Sequence, residues 1–525
     1  MKIFHGTIIT CDWDNAVYKY LVEDGGKIVF TGNSLPTLYA NLENVEYVEL
    51  EERALLPAFG DGHIHFSQWA FFNSTFDVRL ANSIEDTGKI MQLYSANNPG
   101  AKIILGYGYN PLTVKEKRLI TRPEMDRFIK DKPAVLVNYD GHSAVANSKA
   151  IGLLPPEIRA LRGLNLETGL IDGEAFLKGT GFITSKIPLS AILTALINSL
   201  NELAVYGIGL VHTVEGIGYH KDRDVDLVRF ITKGSPIKFR TYLQTMDLQK
   251  VKKRKLPGIG GCFDCALDGS FGFKGAALLE PYTNDEQTKG NLFYSDGKVI
   301  NFVKKANRAG LQVQLHCIGD AAVVQAVKAI EAALKDYPRD DHRHTLIHAC
   351  LIPDYTLETI AQLGIGINIQ PAFLASRLEP RHYLEEILGN RVAEIWPLKK
   401  LMAMGINISG GSDGPVTEPD PLLGIYAACN HPVAGCSLDF KDALSIYTYN
   451  IAHTSFDEKR LGSLEAGKEA DMVILNKNPL ELKTTSLDDL KVEMLYLAGK
   501  EYSGNNTVTE ALLNSLKTIT LKKEH

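Results

Sequence analysis

A (β/α)8 TIM barrel, an α/β fold, is the class this sequence predicts, with a small β-sandwich formed by both chain termini and a large insertion after barrel strand 1. Three observations predict it. Short apolar runs alternate with helix-length amphipathic segments through the middle of the chain, the pattern of parallel βα units. Eight such runs can be counted, and eight parallel strands close on themselves without leaving an edge. Strand-and-turn sequences flank that middle at both ends.

Residues 1–56 read as short strands with turns. IFHGTIIT is followed by YKYLVEDGGKIVFTG, where Asp24-Gly25-Gly26 supplies the positive-φ positions of a hairpin. GSLEAGKEADMVILNKNPL and VEMLYLAGKEYS repeat that pattern near the other end, so 1–56 and 464–525 are expected to pair into one small domain around a barrel of 57–463. The eight barrel runs are ALLPAFGDGHIH, GIGLVHTVEG, PIKFRTYLQT, GCFDCALDG, LQVQLHCIGD, HTLIHAC, IGINIQPAF and INISGGSDG. Between them DAAVVQAVKAIEAALKDY and TLETIAQLG carry apolar residues at helical spacing. The stretch from residue 66 to about 200 far exceeds the ~10–12 residues a crossover needs. It therefore holds an inserted subdomain, leaving the barrel at the face where active sites lie and covering the site.

The 525 residues carry a formal net charge of −6 without long single-sign runs, so no nucleic-acid partner is indicated. No apolar run approaches the ~20 residues that span a bilayer, so no membrane partner is expected. Seven scattered cysteines do not form a disulfide pattern, and a cytoplasmic location is expected. The expected partner is a small molecule, and a homodimer is the candidate assembly.

His63 and His65 in PAFGDGHIHF are two apart, so on a strand their side chains point the same way, as two ligands of one metal require. His316 ends LQVQLH, His348 ends HTLIH and Asp413 ends INISGGSD. In a closed barrel all five converge on one mouth. Four imidazoles and a carboxylate suit zinc or a similar divalent transition metal better than Mg²⁺ or Ca²⁺. A lone histidine at a strand end is ordinarily a hydrogen-bonded structural residue, and it is the set of five that points to a metal. His342 and His344 repeat the HxH spacing where a helix gives way to a strand, and read as a solvated pair.

Two patterns point elsewhere. GGSDG matches a nucleophile elbow and would make the chain a serine hydrolase using Ser412, leaving four histidines unexplained. GSLEAGKE resembles a phosphate-binding loop, but Glu469 stands where Mg²⁺ needs a hydroxyl, and a strand follows. Cys262 and Cys265 form a lone CxxC, read as packing residues, one of which can face the mouth.

With these ligands in place the chain resembles the amidohydrolase superfamily. YDGHSAVANSKA, CALDGSFGFKGAALLEPYTN, LHCIGDAAV, NIQPAF, GGSDGPVTEPDPLLGI and the GSLEAGKEADMVIL segment are similar to the branch containing N-substituted formamide deformylases and exoenzyme-regulatory-protein-like members. The resemblance implies hydrolysis of a C–N bond in a non-peptide amide, formamide or N-acyl substrate by metal-activated water. It implies His63, His65, His316, His348 and Asp413 as ligands of one or two ions, with Asp413 also the general base. Many relatives have a carboxylated lysine on the fourth strand; the matching position here is Asp264, either a shorter bridging carboxylate or the mark of a single-ion site. His142 stands in the segment that approaches the active site in relatives, as a group that polarises the carbonyl or contacts substrate, with a structural role as the alternative. Trp69 in QWAFF, Tyr109 in ILGYGYNP and Gln370 in NIQPAF are the further substrate-binding candidates. A regulatory or binding protein with a vestigial metal site is the remaining alternative.

Overall fold

Strands inside a barrel are buried on both faces, which is why their sequences run apolar without alternating. The computed structural model, which describes residues 1–40, 42–217 and 220–521, places all eight predicted runs in one parallel sheet. In chain order they are β1 (Phe59–Ile64), β2 (Ile208–Glu215), β3 (Lys238–Leu243), β4 (Gly258–Ala266), β5 (Gln312–Cys317), β6 (Thr345–His348), β7 (Gly366–Ile369) and β8 (Ile408–Gly410). Each pairs with its predecessor. The seam between β8 and β1 closes just beyond the strand ends, where Asp413 N–H donates to His63 O (2.8 Å) and His65 N–H to Gly414 O (2.9 Å). Gly62 and Gly411 permit that approach: a Cβ on Gly62 would meet Gly410 O at 2.6 Å, and one on Gly411 would meet His63 N at 2.6 Å.

The helices expected between strands are present. Asp320–Asp336 buries Ala322, Val323, Ala326, Val327 and Ile330 on one face. Asp354–Leu363 stops at Gly364, whose φ of 66° is the left-handed conformation that ends helices.

The terminal domain is one seven-stranded sheet rather than two separately bonded ones. Its order is 500–501, 492–497, 472–475, 46–57, 2–9, 17–24, 27–32. Lys2–Ile9 and Glu46–Pro57 run parallel, and Met472–Leu475 pairs antiparallel with Ala54–Pro57. Asp24 faces Lys27 across the predicted hairpin, with Gly25 and Gly26 at φ 58° and 87°. The sheet does not extend through all of 464–525: Val508–Leu521 is a helix, and Ser515 Oγ donates to Ile231 O on a barrel helix.

The insertion is smaller than the sequence reading drew it. Helices Phe66–Asn73 and Leu189–Val205 belong to the barrel's own layer, where Phe66, Trp69 and Ala70 join Leu196, Ile197 and Leu200 in its core. The added layer lies between them. It is a five-stranded sheet (170–172, 143–146, 134–138, 104–109, 76–77) with a separate apolar core on each face. No single helix among the described residues is long and apolar enough to cross a membrane.

Candidate active site

β1 delivers Asp61, His63 and, one residue beyond its end, His65 to one side of the strand, because every second side chain shares a face. Asp413 follows β8 in the left-handed region (φ 56°), and its Oδ1 lies 3.2 Å from Nε2 of both His63 and His65. His348, at the end of β6, also has positive φ (67°). Such backbone is costly for a non-glycine residue and is held by its surroundings. Here Trp396 Nε1 donates to His348 O (2.7 Å), while Gln370 Oε1 stands 2.5 Å from His348 Nδ1. His316 stands 4.7 Å from His348, ring centre to ring centre. Its Nδ1 is 3.5 Å from Asp268 Oδ1, a carboxylate gripped by the N–H groups of Ala277, Ile318 and Gly319 at 2.8–2.9 Å.

The five predicted ligands thus meet at one mouth, and a sixth group joins them. Cys262 Sγ is 3.4 Å from His63 Nε2, and ligand atoms of His63, Cys262, His348 and Asp413 all lie within 4.8 Å of one another. Asp264 is not there. Its side chain is exposed, because β4 bulges: Gly261 pairs with Leu315 while Ala266 pairs with His316, the next residue. Phe263 turns through φ 50° inside that bulge, and counting along a regular strand therefore picked the wrong inward residue. The signal was present in Gly260-Gly261, a glycine pair interrupting a strand.

A divalent cation fits this cluster. The donor chemistry makes the fit: Nε2 of His63 and of His65 both stand 3.2 Å from Asp413 Oδ1, and Cys262 Sγ stands 3.4 Å from His63 Nε2, so imidazole nitrogens, a carboxylate oxygen and a sulfur crowd one buried point. Burial holds the imidazoles neutral, pushing His63 below its usual value and His316 and His348 down to about 3, so their lone pairs are available. Asp413 is the one ionised member: burial opposes its charge, but His63 and His65 beside it outweigh burial and hold it well below the usual carboxylate range. Nitrogen, sulfur and oxygen donors together favour zinc or a similar transition ion.

The other candidates divide. His142 reaches the mouth, packing on Phe263 at 5.4 Å between ring centres and lining both cavities that open onto the ligands. Trp69 does not: it is buried beside the barrel and donates Nε1 to Glu418 (3.2 Å). Tyr109 points to the far face of the inserted sheet, where its hydroxyl donates to Arg118 O (2.9 Å); Tyr107 takes the cavity-lining place. Gln370 touches His348 rather than substrate space, and its Nε2 donates to Asn368 Oδ1 (2.8 Å), which fixes its orientation. Ser412 is excluded as a nucleophile on geometry. Its Oγ donates to Asp61 Oδ2 (2.5 Å) and accepts from Gly414 N–H, with no histidine to activate it. His344 is likewise structural, buried against Val313 N–H and Asn307.

A barrel with a terminal sheet and a histidine-aspartate cluster at its mouth defines a class, and comparison with known proteins agrees. Residues 46–502 match the model of the amidohydrolase family, and the chain belongs to that family. YtcJ of Bacillus subtilis, itself named as an amidohydrolase, is 26% identical, the alignment covering 95% of this chain and 98% of that one. An N-substituted formamide deformylase from Arthrobacter pascens is 22% identical over 95% and 97% of the two chains. Among solved structures, an uncharacterized metal-dependent hydrolase from Pyrococcus horikoshii superimposes with a TM-score of 0.74 at 25% identity, covering 92% of this chain and 99% of that one.

Proposed function

We propose that the protein is a metal-dependent hydrolase that cleaves the C–N bond of a non-peptide amide, with Asp413 as the general base. The observation that carries this reading is the convergence of His63, Cys262, His348 and Asp413 within 4.8 Å in a buried mouth that two cavities reach. His63, His65, Cys262, His316, His348 and Asp413 are the residues that would hold zinc or a similar ion, one or two in number. When bound, such an ion supplies Lewis acidity and water ionisable near pH ~7.

The chain's own groups do the rest. Asp413 is ionised and sits among the ligating histidines, so its carboxylate takes the proton of the attacking water. The same carboxyl then returns that proton to the leaving nitrogen, which departs as a neutral amine. His142, at the entrance above the ligands, donates to the substrate carbonyl. Gln370 and Asp268 hold the rings of His348 and His316 in place, the usual task of groups behind ligating histidines. The name of the deformylase relative supports the same bond type, and that of the hydrolase relative supports metal-dependent hydrolysis.

The test is hydrolysis of formamides, N-acyl amines and N-acyl amino acids by zinc-reconstituted protein. Activity is expected to vanish on chelation and return with metal, and Asp413→Asn is expected to lower kcat/KM by roughly 10²–10⁴-fold. His142→Ala is expected to reduce kcat with little change in metal content. Undiminished hydrolysis by the metal-free protein would refute the mechanism.

A further inference from the structure

The ligand cluster does not sit at the bottom of one pocket. It stands on the partition between two, and Asp140, His142, His316, His348, Asp413 and Val416 line both. The two chambers hold about 1110 Å³ and about 1130 Å³ of non-protein space, open mouths included.

The chambers differ in chemistry. The first runs beneath the insertion, walled by Phe71 and Phe72, by Tyr107 and Val137 of the inserted sheet, and by Phe176 and Ile183 of helix Gly173–Thr184. Phe72 packs on Tyr107 with ring centres 4.8 Å apart. Away from the ligands its wall is overwhelmingly apolar. The second, lined by residues that follow β4, β6, β7 and β8 and by Tyr139 of the insertion, is also largely apolar, through Phe373 and Trp396, but adds the polar groups of Glu379, Arg381 and His431. Glu379 accepts from the Gly272 N–H and lies beside the buried Tyr139 hydroxyl. Burial first, and Asp140 next, raise the Glu379 carboxyl to about 7, so it offers both an acceptor and a proton near neutral pH. Arg381 is committed to Glu385 on its own helix (2.8 Å).

A reacting bond held at the partition has one substituent in each chamber. A formamide presents only a hydrogen on its carbonyl side, leaving one chamber unfilled. We infer that the substrate is a two-sided amide, with an apolar substituent in the chamber under the insertion and a hydrogen-bond-donating substituent, an ammonium or hydroxyl group, against Glu379. Glu379 is thereby a specificity-determining residue. The inference rests on the amide hydrolysis proposed above and adds the substrate class to it.

The reaction balances without a further reactant. The amide C–N bond breaks, the carbonyl carbon gains the water oxygen, the nitrogen gains a proton, and a carboxylic acid and an amine leave on opposite sides of the partition.

Two amide series test this with zinc-loaded full-length protein. One carries N-formyl, N-acetyl, N-butanoyl and N-hexanoyl groups on mono-protonated ethylenediamine; the other reverses the arrangement, with alkyl amides of β-alanine-derived ammonium acids. In at least one series kcat/KM is expected to rise roughly 3- to 4-fold per methylene until the apolar chamber is filled. Phe176→Trp is expected to shorten the preferred chain. Glu379→Leu is expected to cut kcat/KM for ammonium-bearing amides by roughly 10- to 100-fold, mainly through KM, while favouring the matched methyl-terminated amides; Glu379→Gln retains part of the preference for hydroxyl-bearing ones.

Calorimetry on the metal-free protein with a non-hydrolysable ketone isostere gives a readout independent of turnover. Glu379→Leu should weaken the ammonium isostere at least 10-fold and leave the methyl-terminated one within 2-fold. Amide hydrolysis fastest on formamides, with Glu379→Leu indifferent to substituent, overturns this inference and leaves the proposed function standing. Failure to hydrolyse any amide, with the ketone still binding as expected, overturns the proposed reaction and leaves the two-chamber recognition standing.

Discussion

Cys262 and Asp264 show how one backbone irregularity reassigns chemistry between neighbouring side chains. The bulge in β4 brings a thiol to the ligand cluster and turns the carboxylate out to solvent. A coordinated thiol is deprotonated, so a cobalt-substituted protein is expected to show thiolate-to-cobalt charge-transfer absorption. Cys262→Ser should abolish it, and Asp264→Ala should leave the spectrum, metal content and activity unchanged. Persistence of the band in Cys262→Ser would remove the thiol from the site. Gln370 acts one step further out. Gln370→Leu deletes the partner of His348 Nδ1 and is expected to weaken metal affinity by roughly 10–100-fold, measured by competition with a chelator.

At the scale of elements, the β1–β8 seam leaves no room for a Cβ at Gly62 or Gly411. Gly411→Ala places a methyl 2.6 Å from His63 N, so the seam must open or the substitution must strain it, at a cost of about 1–3 kcal/mol in denaturant unfolding. A second element-level feature is a buried carboxyl pair. Glu215, at the end of β2, accepts from Ser67 N–H (3.1 Å) at the start of helix Phe66–Asn73 and from Thr213 Oγ1 (2.5 Å). Asp224 accepts from Gly216 and Ile217 N–H at 2.5 and 3.1 Å. Burial raises both carboxyls above the usual range, with Asp224 adding to the rise at Glu215. A carboxyl whose folded-state pKa is raised binds its proton more tightly folded than unfolded. The contribution of this pair to stability is therefore fully present below the ordinary carboxylate range and is lost as pH rises through the raised values. Glu215→Gln is expected to flatten that fall between about pH 4 and 8 in urea titrations. An unchanged slope would assign the pH dependence to other groups.

Across the whole molecule, the terminal sheet is fastened to the barrel by buried charge as well as by the strand running from 46–57 into β1. Lys238 on β3 pairs with Glu469 (3.1 Å) and with Asp471, which is 7% exposed. Lys238→Met leaves Asp471 buried beside no cation and is expected to cost about 3–5 kcal/mol, seen as loss of cooperativity between barrel and sheet in calorimetry. The C-terminal helix Val508–Leu521 adds a second tie, through Ser515 to Ile231.

The eight strands, the hairpin at Asp24–Gly26 and the five residues His63, His65, His316, His348 and Asp413 were legible in the sequence, because each depends on local rules: apolar runs, turn glycines and placement at a strand's end. The limits of the insertion were not, since helices Phe66–Asn73 and Leu189–Val205 carry the apolar side chains of packed helices whether they lie on the barrel or within an added layer. Trp69, Tyr109 and Gln370 were near the site in sequence and turned away from substrate in space, because which face an aromatic or amide presents depends on what packs behind it. The amino-acid sequence by itself determined a closed parallel barrel and the histidine and aspartate residues that meet at its mouth. The tertiary structure decided that the thiol of Cys262 rather than the carboxylate of Asp264 faces them, that Ser412 is spent on Asp61, and that two chambers meet at the ligands. Each of these rests on contacts between segments far apart in the chain, and of the three only the bulge in β4 has a local mark, the pair Gly260-Gly261.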